Sequence, residues 1–198
     1  GNAVVTPAGT IADILRVESH PAIGAPFALP GPAARIPRFE VAARLELSAD
    51  GRTATFDPAR GFLHFIGSES KFTIRFDPVS RRYWSIGSKI TNPHTGYAWL
   101  FTPHHQRNVL ALTSSADLDR WEERSRLLRF REGQVVTKAE SRVGFQYVDW
   151  QFDGDDLVAV CRTAWNAANY HDANFITFHR VTNFRMLTMA DSPPPLDR

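Results

Sequence analysis

The chain of 198 residues is 43% hydrophobic and 22% charged, which is typical of one globular domain with a sizeable core. Its net charge of +2, with acidic and basic residues interspersed, excludes the basic footprint of a nucleic-acid-binding protein. No apolar run approaches the roughly 18 residues of a membrane span, and the single Cys161 permits no internal disulfide.

A unit of strand, tight turn and strand recurs three times, over residues 2–17, 71–86 and 147–162. After each copy comes a long loop and then a second hairpin with a turn of its own. Four antiparallel strands in a repeated unit are typical of a β-propeller blade. The sequence therefore predicts an all-β fold with three blades, over about 1–66, 71–131 and 143–188, and an extended tail over 191–198.

Three blades are too few to close a propeller, since closed propellers have roughly 4–8 blades. An open half would leave an uncovered face, which soluble proteins avoid. The strand-like first residues favour a piece of a longer chain. The alternative is a homodimer in which two copies complete six blades.

Two segments resemble a known family. Thr113–Trp121 (TSSADLDRW) is similar to the Asp-box turn between the outer strands of sialidase-type propellers, although the glycine of the box is absent. Residues 143–184, with YVDW and YHDANFITFHR, resemble sialidase-like proteins of bacterial polysaccharide degraders. The resemblance implies a secreted or periplasmic glycoside hydrolase that acts on a polar or acidic glycan and needs no cofactor. A non-catalytic carbohydrate- or protein-binding propeller is the alternative, because this fold carries many functions.

Arginine is expected to hold the substrate at the end of the propeller that carries the long loops. Counted from the turns, Arg16, Gly87 and Arg162 occupy the same place in the three units. Arginine binds carboxylates in a bidentate manner, and the sialidase resemblance implies several arginines around the sugar carboxylate. The alternative is that each arginine stacks on an aromatic ring or pairs with a neighbouring acid.

Asp149 is the predicted catalytic carboxyl. It alternates with the apolar Val148 and Trp150 in a strand expected to be buried, where a carboxyl has a raised pKa and can act as a general acid. A structural acid bonded to the backbone or to an arginine is the alternative. Tyr147 could line the pocket or act as a nucleophile, which would require a glutamate base, and Glu140 is the one glutamate nearby.

His171 and Asp172 are further catalytic candidates in the polar segment 169–174. They could exchange protons or bind sugar hydroxyls, although neighbouring residues in an extended chain point apart. Capping of the turn is the alternative for Asp172 and Asn174, and a lyase that uses Tyr170 and His171 is a third functional class. No tight metal-binding spacing is present, so we predict no metal, although His94, His104 and His105 together with Asp172 could in principle hold zinc. The predicted sugar-binding side chains are Arg16, Lys71, Tyr147, Arg162, Trp165, Tyr170 and Asn174, with core packing as the alternative for Trp165.

Overall fold

The computed structural model describes residues 1–17, 40–67, 70–92, 105–133 and 142–196. The fold is all-β with antiparallel sheets, which confirms the predicted fold class at that level. The described residues contain two 3-10 turns, Phe184–Met186 and Met189–Asp191, and no helix long and apolar enough to cross a membrane. The strands are β1 Asn2–Val5, β2 Ile11–Arg16, β3 Val41–Leu47, β4 Ala54–Thr55, β5 Phe62–His64, β6 Thr73–Asp77, β7 Arg82–Ser88, β8 Val109–Ser115, β9 Trp121–Arg129, β10 Gly144–Asp153, β11 Asp156–Ala164 and β12 Phe175–Val181.

The strands form three sheets in chain order. Sheet 1 has the order β1-β2-β3-β4 with β5 also paired to β3, sheet 2 has β6-β7-β8-β9, and sheet 3 has β10-β11-β12. Because β4 pairs with one end of β3 and β5 with the other, they share a single interrupted fourth position. The residues after β12 form 3-10 turns, so sheet 3 has three strands where the repeat predicts four.

Neighbouring sheets touch through their first strands. The Asn2 amide pairs with the backbone of Ile74, donating from Nδ2 to the carbonyl (3.3 Å) and accepting from the N–H (3.1 Å). In the next contact, Arg75 Nε donates to the Trp150 carbonyl at 2.6 Å, and Trp150 Nε1 donates to the Thr73 carbonyl at 3.0 Å. The first strands of the three sheets, β1, β6 and β10, therefore contact one another in chain order.

Apolar side chains fill the two spaces between sheets. Between sheets 1 and 2 lie residues such as Ile14 and Tyr83, and between sheets 2 and 3 lie residues such as Ile86 and Leu157. We call the face of a sheet that points toward the next sheet in chain order its front, and the opposite face its back. Sheet 2 is covered on both faces, as its almost fully buried β7 shows.

The turns after β3 and β8 share a three-residue motif, Ser-Ala-Asp. In each turn the serine hydroxyl donates to the aspartate two residues later, Ser48 to Asp50 at 2.6 Å and Ser115 to Asp117 at 3.1 Å. Each aspartate then accepts from a backbone N–H further along the turn. Leu118 occupies a left-handed position (φ 69°) in the second turn and is fully buried in the core between sheets 1 and 2.

The tail after β12 lies along β9, the outermost strand of sheet 2. Its Leu196 N–H donates to the Arg129 carbonyl at 2.8 Å, and the Arg131 N–H donates to the Leu196 carbonyl at 2.9 Å. Ser192 accepts from the Arg126 N–H at 3.0 Å. As far as residue 196, the tail is extended and bound to the sheet edge.

Candidate functional site

Strand register gathers one end of each sheet into a common rim. The beginning of each first strand pairs with the last part of the second strand, in the pairs Asn2–Ile14, Thr73–Ile86 and Gly144–Ala164. The chain leaves the second strand at that end in all three sheets. We call this the long-loop end.

Arg16 and Arg162 occupy equivalent positions on the front faces of their sheets. Side chains two residues apart in a strand share a face. Arg16 therefore lies on the front face with Ile14 in sheet 1, and Ser88 lies on the front face with Ile86 in sheet 2. In sheet 3 the back of β11 is packed, so Arg162 lies on the front. Gly87 does not share this position, because it lies between the front-facing residues Ile86 and Ser88 and faces the back of sheet 2.

Tyr147 sits in a β-bulge at the long-loop end of β10. Gln146 pairs with Arg162 and Asp149 pairs with Val160, so Tyr147 and Val148 together oppose one residue of β11. Tyr147 has φ 53°, a left-handed conformation that is uncommon for a bulky residue. Such bulges re-aim a side chain, and strained backbone is concentrated at functional sites.

The re-aimed Tyr147 ring lies against Arg162. The guanidinium carbon is 4.9 Å from the ring centroid, within the range of a cation–π contact, so Arg162 makes the aromatic contact that was the alternative to substrate binding. The His171 ring meets the same tyrosine edge-on at 6.0 Å, and Arg162 Nη2 donates to the His171 carbonyl at 3.2 Å. The structure therefore brings together three of the predicted site residues, and Tyr170 lies 6.3 Å from His171, measured between ring centroids.

Gln146 supports this cluster through hydrogen bonds to its backbone, and the sequence analysis did not predict it. Its side chain is almost fully buried, and Nε2 donates to the carbonyls of Tyr170 (3.1 Å) and His171 (2.8 Å). Its Oε1 is buried without a hydrogen-bond partner among the described residues. Gly144 lies beside it, where a Cβ would stand 2.3 Å from the Tyr170 carbonyl oxygen. The signal that could have identified Gln146 is an amide between apolar neighbours in a buried strand.

His171 and Asp172 do not form a close pair. His171 Nδ1 and Asp172 Oδ1 are 3.9 Å apart, and both side chains are about half-exposed or more. The backbone N–H groups of both residues donate to Asn169 Oδ1, at 2.8 and 2.9 Å. Asn169 is therefore the residue that closes this turn, and the His171 ring remains accessible.

Trp165 and Asn174 support the loop from outside the cluster. Trp165 packs edge-on against Phe130 with ring centroids 5.3 Å apart, and it extends the core between sheets 2 and 3. The Asn174 amide accepts from the Trp165 N–H and donates to the Trp165 carbonyl, both at 3.0 Å. These contacts correspond to the packing and turn-closing alternatives for the two residues.

Asp149 does not have the predicted environment. The strand alternates as expected, with Val148 and Trp150 buried, but only the back of the strand is covered, and the Asp149 side chain is about half-exposed on the other face. Partial burial acts to raise its pKa, but the Trp150 N–H, Thr73 and the nearby Lys71 and Arg75 outweigh it and hold the pKa below its ordinary value. The expectation of a buried carboxyl with a raised pKa is therefore wrong. Lys71 is exposed and belongs to this neighbourhood rather than to the tyrosine cluster.

Glu40 is a second residue that sequence reasoning missed. Its carboxylate is 3% exposed, accepts from Lys89 Nζ at 2.6 Å and contacts His64 Nε2 through its other oxygen. Burial acts to raise the pKa of Glu40, but the hydrogen bonds with His64 and Lys89 and their charges lower it overall. Glu40 precedes β3 and Lys89 follows β7, so this ion-pair network joins sheets 1 and 2 at the long-loop end. Arg16 ends β2 at the same rim and is exposed.

The described residues contain no cluster of side chains that could bind a metal ion. No three His, Cys, Asp or Glu side chains converge there in a manner suited to a metal ion. His94 and His104 lie outside the described residues, and the His105 ring stacks on Tyr170 with centroids 5.5 Å apart. Burial raises the pKa of Tyr170, which keeps its hydroxyl protonated near neutral pH.

Comparison of the chain with models of known protein families gives no match, and comparison with curated proteins finds no significant relative.

Proposed function

We propose that the chain forms part of a sialidase-like β-propeller that hydrolyses a polar or acidic glycan at the long-loop end. The observation that carries this proposal is the contact of Arg162 with Tyr147, held by a bulge that costs strain. Backbone strain of this kind costs on the order of 1–3 kcal/mol and is retained where the surrounding structure fixes a functional geometry. The shared Ser-Ala-Asp turns and the repeated front-face arginine support the propeller interpretation.

Each member of the cluster has a chemical role in the proposal. Arg162 binds the carboxylate of the glycan, since its planar donors match two carboxylate oxygens. The Tyr147 ring orients the guanidinium and forms one wall of the sugar site. In hydrolysis the bond from the anomeric carbon to the leaving oxygen breaks, and a bond to a water oxygen forms in its place. His171, with an accessible ring, delivers the proton to the leaving oxygen, and the Asp172 carboxylate takes the proton that the attacking water loses.

A non-catalytic glycan-binding module is the second candidate, and one observation favours it. Asp149 is ionised and exposed, so it does not supply the protonated carboxyl that most glycosidases use. A binding module needs the Arg162–Tyr147 surface alone.

A panel of sialoside, uronide and rhamnoside reporter substrates, with a glycan array, tests the proposal. We expect turnover of at least one carboxylate-bearing substrate, lost in His171→Ala, and glycan binding that weakens ~10–100-fold in Arg162→Met, as for loss of a charged hydrogen-bonded contact. Arg180→Met is the matched control, because Arg180 is exposed on the same sheet at its opposite end. Glycan binding without turnover would favour the binding module, and neither binding nor turnover across the panel would overturn both.

A further inference from the structure

The front face of sheet 3 carries exposed apolar side chains on β11 and β12 and is uncovered among the described residues. Val160 pairs directly with Phe178, so both project from this face, and Ile176 lies two residues along β12 on the same side. Val160 is 47% exposed, although its equivalents on the fronts of sheets 1 and 2, Ile14 and Ile86, are both 0% exposed. The same position is therefore core in two sheets and surface in the third.

The back face of sheet 1 shows the complementary pattern. Val5 is 63% exposed and Ile11 is partly exposed, and both alternate with the packed front residues of their strands. The residues equivalent to Ile11 on the backs of sheets 2 and 3 are Tyr83 and Leu157, which are buried against the preceding sheet. Sheet 1 has no preceding sheet in the described chain.

We propose that the front of sheet 3 packs against the back of sheet 1 in a second copy of this chain, and that the reciprocal contact closes a head-to-tail dimer. This inference rests on the propeller interpretation given above. Each internal contact already joins one front face to one back face, so the dimer contact repeats a geometry that the chain uses twice. Six sheets fall within the roughly 4–8 of closed propellers.

The position of the site fits this pairing. Arg162 lies on the front of sheet 3, whereas Arg180 on that face is already paired with Asp153 and Asp156 of its own sheet. The arrangement also places Arg16 of the partner subunit at the long-loop end of the sheet next to Arg162. A glycan carboxylate bound there is held by arginines from both copies, which neither copy alone provides on adjacent sheets.

The mass of the purified chain in solution is the first test. Sedimentation equilibrium is expected to give twice the chain mass of 22.3 kDa. A folded, monodisperse monomer at micromolar concentration would overturn the proposal.

Substitutions on each face test the head-to-tail arrangement. Val160→Asp and Val5→Asp are each expected to give a folded monomer, because each substitution places a carboxylate in both symmetry-related contacts. Val79→Asp is the matched control, since Val79 is an exposed valine in the turn after β6 and lies on neither face, and it is expected to remain dimeric. Ile176→Lys on the exposed edge strand serves as a second front-face variant if Val160→Asp fails to fold by circular dichroism.

The possible outcomes separate the alternatives. A dimer that survives Val5→Asp but not Val160→Asp would mean that sheet 3 pairs with sheet 3, which contradicts the arrangement. A dimer that survives both substitutions would place the interface elsewhere. The mass of the protein is measured without a glycan, so this readout is independent of the proposed activity. Arg162→Met tests glycan binding, which it is expected to weaken. A protein that is dimeric but inactive would overturn the proposed function alone.

Discussion

The guanidinium of Arg185 holds the carboxylate of Asp77 through two parallel contacts, with Nε 2.7 Å from Oδ2 and Nη2 3.0 Å from Oδ1. Asp77 ends β6 in sheet 2 and is almost fully buried, whereas Arg185 follows β12 of sheet 3. The pair therefore fastens sheets 2 and 3 together at the end opposite the long loops. Bidentate arginine–carboxylate contacts are among the stronger polar contacts in proteins.

Arg185→Met is expected to lower the free energy of unfolding by about 3 kcal/mol, because it leaves a buried carboxylate without its cation. Arg180→Met is the control, since its partners Asp153 and Asp156 are more exposed, and it is expected to leave the free energy of unfolding nearly unchanged. Urea denaturation at pH 7 measures both values. Equal losses of unfolding free energy in Arg185→Met and Arg180→Met would show that the buried Asp77 contact stabilises the fold no more than an exposed ion pair.

The same pair predicts the acid limb of the stability profile. Burial acts to raise the pKa of Asp77, but the hydrogen bonds from Arg185, Ser80 and Val79 lower it to about 2. Since the folded pKa is depressed below the ordinary value of about 3.9, this carboxylate stabilises the fold by about 2 kcal/mol above pH 4, and that stability is lost as the pH falls toward 2. Unfolding measured between pH 5 and pH 2 should show a shallower acid loss in Arg185→Met than in the wild type. Parallel curves would contradict the assignment.

The Glu40 network predicts a second stability effect. Glu40→Gln removes a buried carboxylate that is hydrogen-bonded to both Lys89 and His64, and we expect a loss of about 3 kcal/mol in the free energy of unfolding. Glu46→Gln is the control, because Glu46 is half-exposed and pairs with Arg44 on the same strand. Because the Glu40 pKa is lowered in the fold, its contribution is present at neutral pH and is lost as the pH falls below the ordinary glutamate range. If Glu40→Gln lowers the free energy of unfolding no more than Glu46→Gln does, the Glu40 network contributes no more than a surface ion pair.

The left-handed conformation of Tyr147 predicts an unusual order of substitutions. Asn tolerates positive φ, whereas β-branched Val does not, so Tyr147→Asn is expected to be more stable than Tyr147→Val by about 1–2 kcal/mol. The midpoint of thermal unfolding measures the difference. At Val148, next in the strand and almost fully buried, the order reverses, because Asn would bury an unsatisfied amide. The same order at both positions would show that the bulge is not a constraint on Tyr147.

Much of the sheet architecture follows from alternation and turns, because strands and tight turns are set by neighbouring residues. The repeats predicted the paired strands on either side of the turns at Asp77 and Gly154, and they placed Arg162 at the long-loop end, where the structure also has it. Burial of Asp149 was not predictable in the same way, since it depends on whether a further sheet covers that face. The bulge at Tyr147 was also missed, because a one-residue register shift leaves no mark in composition or spacing, whereas the sequence did carry a signal for Gln146, an amide between apolar neighbours.

The segment that runs beside β9 has a consequence for the behaviour of the protein at high concentration. By hydrogen bonding to the backbone of Arg129 and Arg131, Leu196 occupies the last part of the outer edge of sheet 2, where another strand could otherwise pair. In the described chain, β12 pairs with β11 alone, and its sequence FITF carries three exposed apolar side chains. Fibril growth, if the protein is overexpressed or heated, would therefore begin at β12 and not at β9.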